Sequence, residues 1–324
     1  MKQATALLGL RAVAPIHVGT DDLRGVIDLA IQREKHNNWP VVYGSSVKGA
    51  LREAAASQWV DEASALHAIF GAQNNGGNGG NGGNASGGDH RAEQTNGPVR
   101  DHIRAGALLV NEMRLLALPV AALNSVYKWV TCPEALRRLR RDYQMFGIAT
   151  ACPAIPALQN SDAISFNLDD PANIFLREYL FHKRSADDAE QAWPAQFTSL
   201  FGADESEFRQ RLLIVSDARF GHLVETCTAI APHIKLDKNK TTTDGALWYE
   251  ETLPSETLMY LPLASEHERL SKSQQTAAAT PQDKQALLEK VLTLFAPARP
   301  YLRVGANETT GMGWFQVHIA GRGA

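Results

Sequence analysis

The apolar residues of this chain change their spacing repeatedly, and the changes follow no regular order. Residues 4–14 alternate as a strand and end in a loop around Pro15 and Gly19. A second extended stretch runs from Gly25 to about Arg33, and a short third covers Val41 to Tyr43. The period then lengthens. Val47, Leu51, Ala54 and Ala55 recur at helical spacing from Ser45 to about Trp59, with Ser45 or Ser46 placed as the N-cap, and a second helix spans Ala63 to Phe70. The segment GALLVNEMRLLALPV reads as a strand bent near Asn111, followed by a helix from Pro133 to Met145 opened by Thr131 or Pro133. NIFLREYLFH alternates as one strand, and EFRQRLLIVSDARFGHLVETC reads helix, strand, helix. Ala229 to Leu263 reads as extended arms around the polar tip DKNKTTTDG, with Asp244-Gly245 supplying the turn. PQDKQALLEKVLTLF is the clearest amphipathic helix, and YLRVGANETTGMGWFQVHI closes the chain as strand, glycine-rich loop and strand. Such an irregular mixture excludes a doubly wound parallel sheet and predicts an α+β class with antiparallel sheet.

Length and composition set weaker bounds. A chain of 324 residues, 44% hydrophobic and 21% charged, can bury a substantial core in one large domain with insertions or in two ordinary ones. No apolar run approaches the roughly 20 residues of a membrane span, and the N-terminal stretch reads as a strand rather than an export signal. Cys132, Cys152 and Cys227 lie too far apart for a zinc or disulfide framework, so a reducing cytoplasm is the expected compartment. The net charge of −3 does not advertise nucleic-acid binding, although a local basic stripe can still engage phosphates. The stretch from Gln73 to Gly97 is dominated by glycine and asparagine and reads as a mobile surface loop, or as an arm that orders on a partner.

Several clusters could carry chemistry, each with a plainer alternative. HVGTDDLRGVIDLAIQREKH concentrates His17, Asp21, Asp22, Arg24, Asp28, Arg33, Glu34, Lys35 and His36 between apolar strands. Asp28 sits inside an apolar run, where it either faces solvent on the polar side of a strand or occupies a site. GSSVKGALRE has the wrong spacing for a phosphate loop. Its helix N-terminus at Ser45 and Ser46, with Lys48 and Arg52 one turn apart, nevertheless suits a phosphate as well as it suits a solvated face. Gly305, Gly311 and Gly313 let backbone approach a ligand closely or simply form a tight turn. The run Arg137, Arg138, Arg140 and Arg141 is a solvated face or a contact surface. Trp248 and Tyr249, beside Glu250 and Glu251, either stack on bases or pin the hairpin to the core. No cysteine–histidine metal cluster and no nucleophile-elbow spacing is present.

Taken in order, HVGTDDLRGVIDLAIQREKH, PVVYGSSVKGALRE, GALLVNEMRLLALPV with YKWVTCPEALRRL, LLIVSDARF, GALWYEETLP with TLMYLPL, and VGANETTGMGW resemble one family. It is the backbone subunit of the type III-B CRISPR effector called the Cmr complex, in the RAMP superfamily. The resemblance implies one RRM-like (ferredoxin-like) palm over residues 1–324. Its insertions would be a catalytic loop at 18–40, a helical finger region at about 60–105, and a projecting hairpin, the thumb, at about 229–263. It further implies copies stacked along guide crRNA beside other Cmr subunits, with complementary target RNA cut at regular intervals by a divalent ion, Mg²⁺ or Mn²⁺. The family's catalytic aspartate falls on Asp28, which would also hold the metal; His17, Tyr249 and Glu250 match helper positions, and Lys48 matches a guide-backbone contact. A non-cutting RNA scaffold and a metal-independent endonuclease that processes precursor guide RNA are the competing readings.

Overall fold

The structure is a computed structural model that describes residues 3–20, 27–72, 104–270, 275 and 279–323. Asp21, Asp22, Arg24 and the glycine–asparagine tract at 73–97 lie outside the described residues. The chain opens with β1 (Ala4–Ala12), β2 (Val41–Val42), α1 (Gly44–Gln58), α2 (Ala63–Phe70), and the two-residue strands β3 (Gly71–Ala72) and β4 (Arg104–Ala105). The middle holds β5 (Leu108–Val110), β6 (Met113–Ala122), β7 (Ser125–Thr131), α3 (Pro133–Met145), β8 (Asp162–Ser165), β9 (Asn173–Leu176) and β10 (Tyr179–Ser185). Then come α4 (Trp193–Phe201), α5 (Glu205–Arg211), β11 (Leu212–Val215), α6 (Asp217–Thr226), β12 (Ala229–Leu236) and β13 (Thr242–Thr252). The chain ends with β14 (Leu258–Ser265), α7 (Lys284–Leu292), β15 (Tyr301–Arg303) and β16 (Trp314–Gly323).

The class is α+β. The main sheet runs β15-β16-β1-β14-β6-β7-β11-β8-β10-β9. β1 lies at its heart, antiparallel to both β14 and β16, and is buried on both faces because α4 and α7 pack against it. Gly9 permits the closest approach: a Cβ there would lie 1.9 Å from the carbonyl oxygen of Leu200 in α4. The far half of the sheet curls until β9 meets β6 at Leu176 and Ala122, closing six strands on themselves. Two pairs in that half, β7 with β11 and β8 with β10, are parallel, so the sheet is mixed rather than wholly antiparallel.

Local chemistry explains the remaining departures from the sequence reading. α1 begins at Gly44 with Tyr43 as its cap, not Ser45 or Ser46, because the Tyr43 amide is taken by the Gln32 side chain at 2.7 Å. Residues 173–182 form two strands instead of one, since Arg177 turns the chain with φ of 50°. The polar tip turns at Asp237, whose carboxylate accepts from the amides of Asn239 (2.8 Å) and Thr241 (2.9 Å); Asp244-Gly245 lies inside β13. The projecting ribbon therefore ends at Thr252, and β14 belongs to the main sheet. Residues 27–33 form isolated bridges in place of a strand, linking Ile31 to Gly19, Leu29 to Glu250 and Arg33 to Pro40.

Candidate active site at the root of the hairpin

The segment 27–33 crosses the base of the β12–β13 ribbon and is held there by backbone. Leu29 N donates to Tyr249 O (3.0 Å) and Glu251 N donates to Leu29 O (2.9 Å). Beside this pair, the Asp28 carboxylate accepts from Tyr249 N at 2.8 Å through Oδ2, and Asp28 is exposed. Asp28 thus faces solvent from a bridged segment rather than from a strand, and its carboxylate is anchored at the hairpin root. Deeper in, Glu251 receives Arg33 Nη2 at 2.5 Å, Thr228 Oγ1 at 2.8 Å and the amide of Ile31 at 3.2 Å. Those contacts lock the segment to the ribbon.

The other side of β13 is buried and polar. His17 Nδ1 lies 2.7 Å from Glu251 O, and a carbonyl only accepts, so Nδ1 carries the proton. In the neutral ring Nε2 is then the accepting nitrogen, beside Gly19. The Glu250 carboxylate lies 3.6 Å from His17 Nδ1 and 3.7 Å from His233 Nε2, and accepts from Asn307 Nδ2. Glu250 and His17 are 3% and 4% exposed, against 37% for Tyr249, so only Asp28 and Tyr249 of this group present themselves to solvent. Trp248 is half-buried and stacks on His233 with ring centroids 5.5 Å apart, within the ribbon itself.

The glycine-rich loop closes over the same region. Gly305 has φ of +104°, and a Cβ there would lie 2.2 Å from His17 O; the next amide, Ala306 N, donates to that oxygen at 2.8 Å. Gly313 N donates to Pro15 O at 2.9 Å. Gly305 and Gly313 are committed to this packing, whereas Gly311 meets open space.

Lys48 occupies a separate cavity of about 600 Å³ at the start of α1, lined also by Gly44, Ser45, Leu108 and Arg269. Burial, and then the like charges of Arg269 and Arg52, hold its ammonium below the usual lysine range. Ser45 is exposed at its rim, Ser46 Oγ accepts from Gln32 Nε2 at 3.2 Å, and Arg52 donates to Gly71 O at 2.8 Å. Gln32 also donates to Gly19 O at 3.1 Å, so one side chain joins the N-terminal loop to the first turn of α1. Sequence reading passed over Gln32, Asn307, His233 and Arg269; a polar residue inside the apolar run of GVIDLAIQRE was the available signal for the first. Half of the arginine run is spent on the protein. Arg138 pairs with Glu34 beneath Trp39, and Arg137 with Glu134 and Asp217, while Arg140 and Arg141 are exposed.

Among the described residues no group of three or more His, Cys, Asp or Glu side chains is arranged to hold a metal ion. Asp28 offers one hard oxygen ligand at the surface. That fits Mg²⁺, which takes one or two carboxylates and fills its other positions with water and phosphate.

Comparison with known proteins places the chain in a family. The pattern of the RAMP superfamily matches residues 10–316. This chain belongs to the RAMP superfamily. Within the superfamily it falls among the Cmr4 proteins. The CRISPR system Cmr endoribonuclease Cmr4 of Pyrococcus furiosus is 30% identical over 321 residues, 97% of this chain and 95% of the relative. The crystal structure of oligomeric Cmr4 from the same organism matches with a TM-score of 0.67 at 27% identity, covering 98% of both chains. A chain of the type III-B Cmr-beta complex bound to cognate target RNA shares the fold, with a TM-score of 0.65 at 17% identity over 98% of this chain and 97% of that one. No helix among the described residues is long and apolar enough to cross a membrane.

Proposed function

We propose that this RAMP protein stacks in several copies along guide crRNA, beside other Cmr subunits, and cuts complementary target RNA next to Asp28. The carrying observation is the exposed Asp28 carboxylate anchored on Tyr249 N, where the β12–β13 ribbon leaves the body. In this reading α1 and the sheet around β1 are the RRM-like palm, and the ribbon is a thumb that pushes one nucleotide out of the guide–target duplex. The name of the Pyrococcus furiosus relative, an endoribonuclease, supports the activity. A reducing cytoplasm is the compartment this reading assigns.

RNA carries its own nucleophile, the 2′-hydroxyl, so the protein need only supply geometry and charge. A displaced nucleotide lets the 2′-oxygen line up with phosphorus and the leaving 5′-oxygen, and positioning of this kind lowers a barrier by up to roughly 7–11 kcal/mol. Asp28 would hold a divalent ion, Mg²⁺ or Mn²⁺, which when bound stabilises charge on the scissile phosphate. Tyr249 N holds the carboxylate in place, and Tyr249 presents an exposed ring beside it. His17 is fixed by Glu251 O and keeps the root in register. Lys48 and the rim at Ser45 take guide phosphates on the far side of the Gln32 link.

The test is an assembled complex carrying guide, given complementary RNA with and without EDTA. Regularly spaced products that vanish with EDTA, and vanish with Asp28→Ala while guide and target still bind, support the proposal. An absence of products from the unaltered complex points to a scaffold, and cutting of precursor guide RNA despite EDTA points to a processing enzyme.

A further inference from the structure

Asn307 belongs to the glycine-rich loop, far from Asp28 in sequence, and its backbone is left-handed with φ of 64°. That conformation is uncommon for any residue with a Cβ, and asparagine tolerates it better than most. The loop carries the Asn307 amide group onto the Glu250 carboxylate, and Nδ2 must be the atom facing it, because a carboxylate can only accept. Glu250 is almost fully buried, and its other neighbours are two imidazoles at 3.6 and 3.7 Å, beyond hydrogen-bond reach. Asn307 is therefore the side chain that donates a hydrogen bond to this carboxylate among the described residues. Residue 250 sits between the two residues whose backbones hold Asp28 and Leu29. A rotation of β13 at Glu250 would move the Tyr249 amide away from Asp28.

We propose that Asn307 is a positioning residue for target cleavage, acting through Glu250 to fix the strand that presents Asp28. This rests on the reading of Asp28 as the cleavage carboxylate. A buried carboxylate left without a donor would turn toward His17 or His233 or draw in water, and β13 would follow it. The same loop grips His17 O through Ala306 N, so residues 306 and 307 tie down both backbones at the hairpin root.

The experiment uses the complete complex with guide bound and follows single-turnover cleavage together with guide and target affinity. Asn307→Leu and Asn307→Asp are expected to slow cleavage by about 10²-fold, the usual cost of a misplacement of about 1 Å, with both affinities unchanged. Asn307→Asp sets two carboxylates against each other. The double variant Asn307→Asp/Glu250→Gln restores a donor and an acceptor with their roles exchanged and leaves the net charge of the pair unchanged. Recovery in the double variant to within about tenfold of the unaltered complex supports the proposal, because a residue needed only for folding would not be rescued by reversing the bond. A double variant no faster than Asn307→Asp, or Asn307→Leu cleaving at the unaltered rate, overturns it. Asp28→Ala run alongside separates the two readings: continued cutting there defeats the assignment of Asp28, whatever residue 307 does.

Discussion

Arg33 and Glu251 meet at 2.5 Å with side chains only 2% and 3% exposed, and they join the segment bearing Asp28 to the base of the ribbon. Once the other is gone, each partner keeps only uncharged groups: Thr228 Oγ1 and the Ile31 amide for Glu251, and Asn38 O, Val224 O and Thr228 Oγ1 for Arg33. Glu251→Leu and Arg33→Met should therefore each cost about 3–5 kcal/mol, the range for stranding a buried charge. A variant with the denaturant midpoint of the unaltered protein would contradict this.

Asp28→Asn keeps an oxygen to accept the Tyr249 amide and loses only the charge. Cleavage should fall by about 10²-fold or more with no change in thermal stability. If Asp28 anchors a metal, raising the Mn²⁺ concentration recovers part of the rate by mass action. A rate that ignores the metal concentration would assign Asp28 to general-base action instead.

Lys48 loses its charge at a lower pH than an ordinary lysine, because burial and two nearby arginines oppose protonation. Guide affinity should accordingly weaken as pH rises through the alkaline range, and Lys48→Arg should remove that decline because guanidinium stays protonated. Lys48→Ala should reduce the slope of log affinity against log salt by about 0.7, one phosphate contact on a single strand. An unchanged slope would leave Lys48 with its hydrogen bond to Leu108 O and no guide contact.

Gly305→Ala meets two obstacles together, a backbone at φ of +104° and the His17 carbonyl 2.2 Å from the new methyl. The backbone conformation alone costs about 1–3 kcal/mol. A loss of stability together with weakened cleavage is expected, measured by chemical denaturation and by the target-cleavage assay. A variant as stable as the parent would show that the loop does not bear on His17.

His318 sits on β16 beside Gly202, and burial holds its imidazole below the ordinary value of 6.5, against a backbone hydrogen bond with Ser199 that acts the other way. A base with a depressed folded-state pKa takes up protons on unfolding. Stability should therefore fall as pH drops below about 6.5 and level off once the folded ring is also protonated. His318→Leu should flatten that part of the stability curve, read from melting temperatures between pH 7 and pH 5.

The elements with a strong period were readable from the chain. α2 and α3 span the residues their apolar spacing predicts, β1 and α1 begin within a residue of theirs, and the order helix, strand, helix of α5–β11–α6 was legible, whereas the caps Ser216 and Asp204, whose side chains accept helix amides, show in the structure. α4 was not read from the chain, because WPAQFTSLF is a nine-residue segment rich in aromatic residues that local pattern does not separate from a buried strand. Residues 229–263 read as the two arms of one hairpin, and that β14 pairs with β1 while β12 pairs with β13 is decided by long-range ladders that local pattern does not encode.

The site divides in the same way. Sequence by itself determined that a carboxylate stands at position 28 in an apolar run and that Lys48 lies on a helix, because motif and period are properties of neighbouring residues. Tertiary structure alone decided that Asp28 rests on Tyr249, that Glu250 turns inward to Asn307 and His17, and that Trp248 stacks on His233. Those contacts join residues from 57 to more than two hundred places apart, or opposite strands of one ribbon, and they exist only once burial has brought the three segments to a common root.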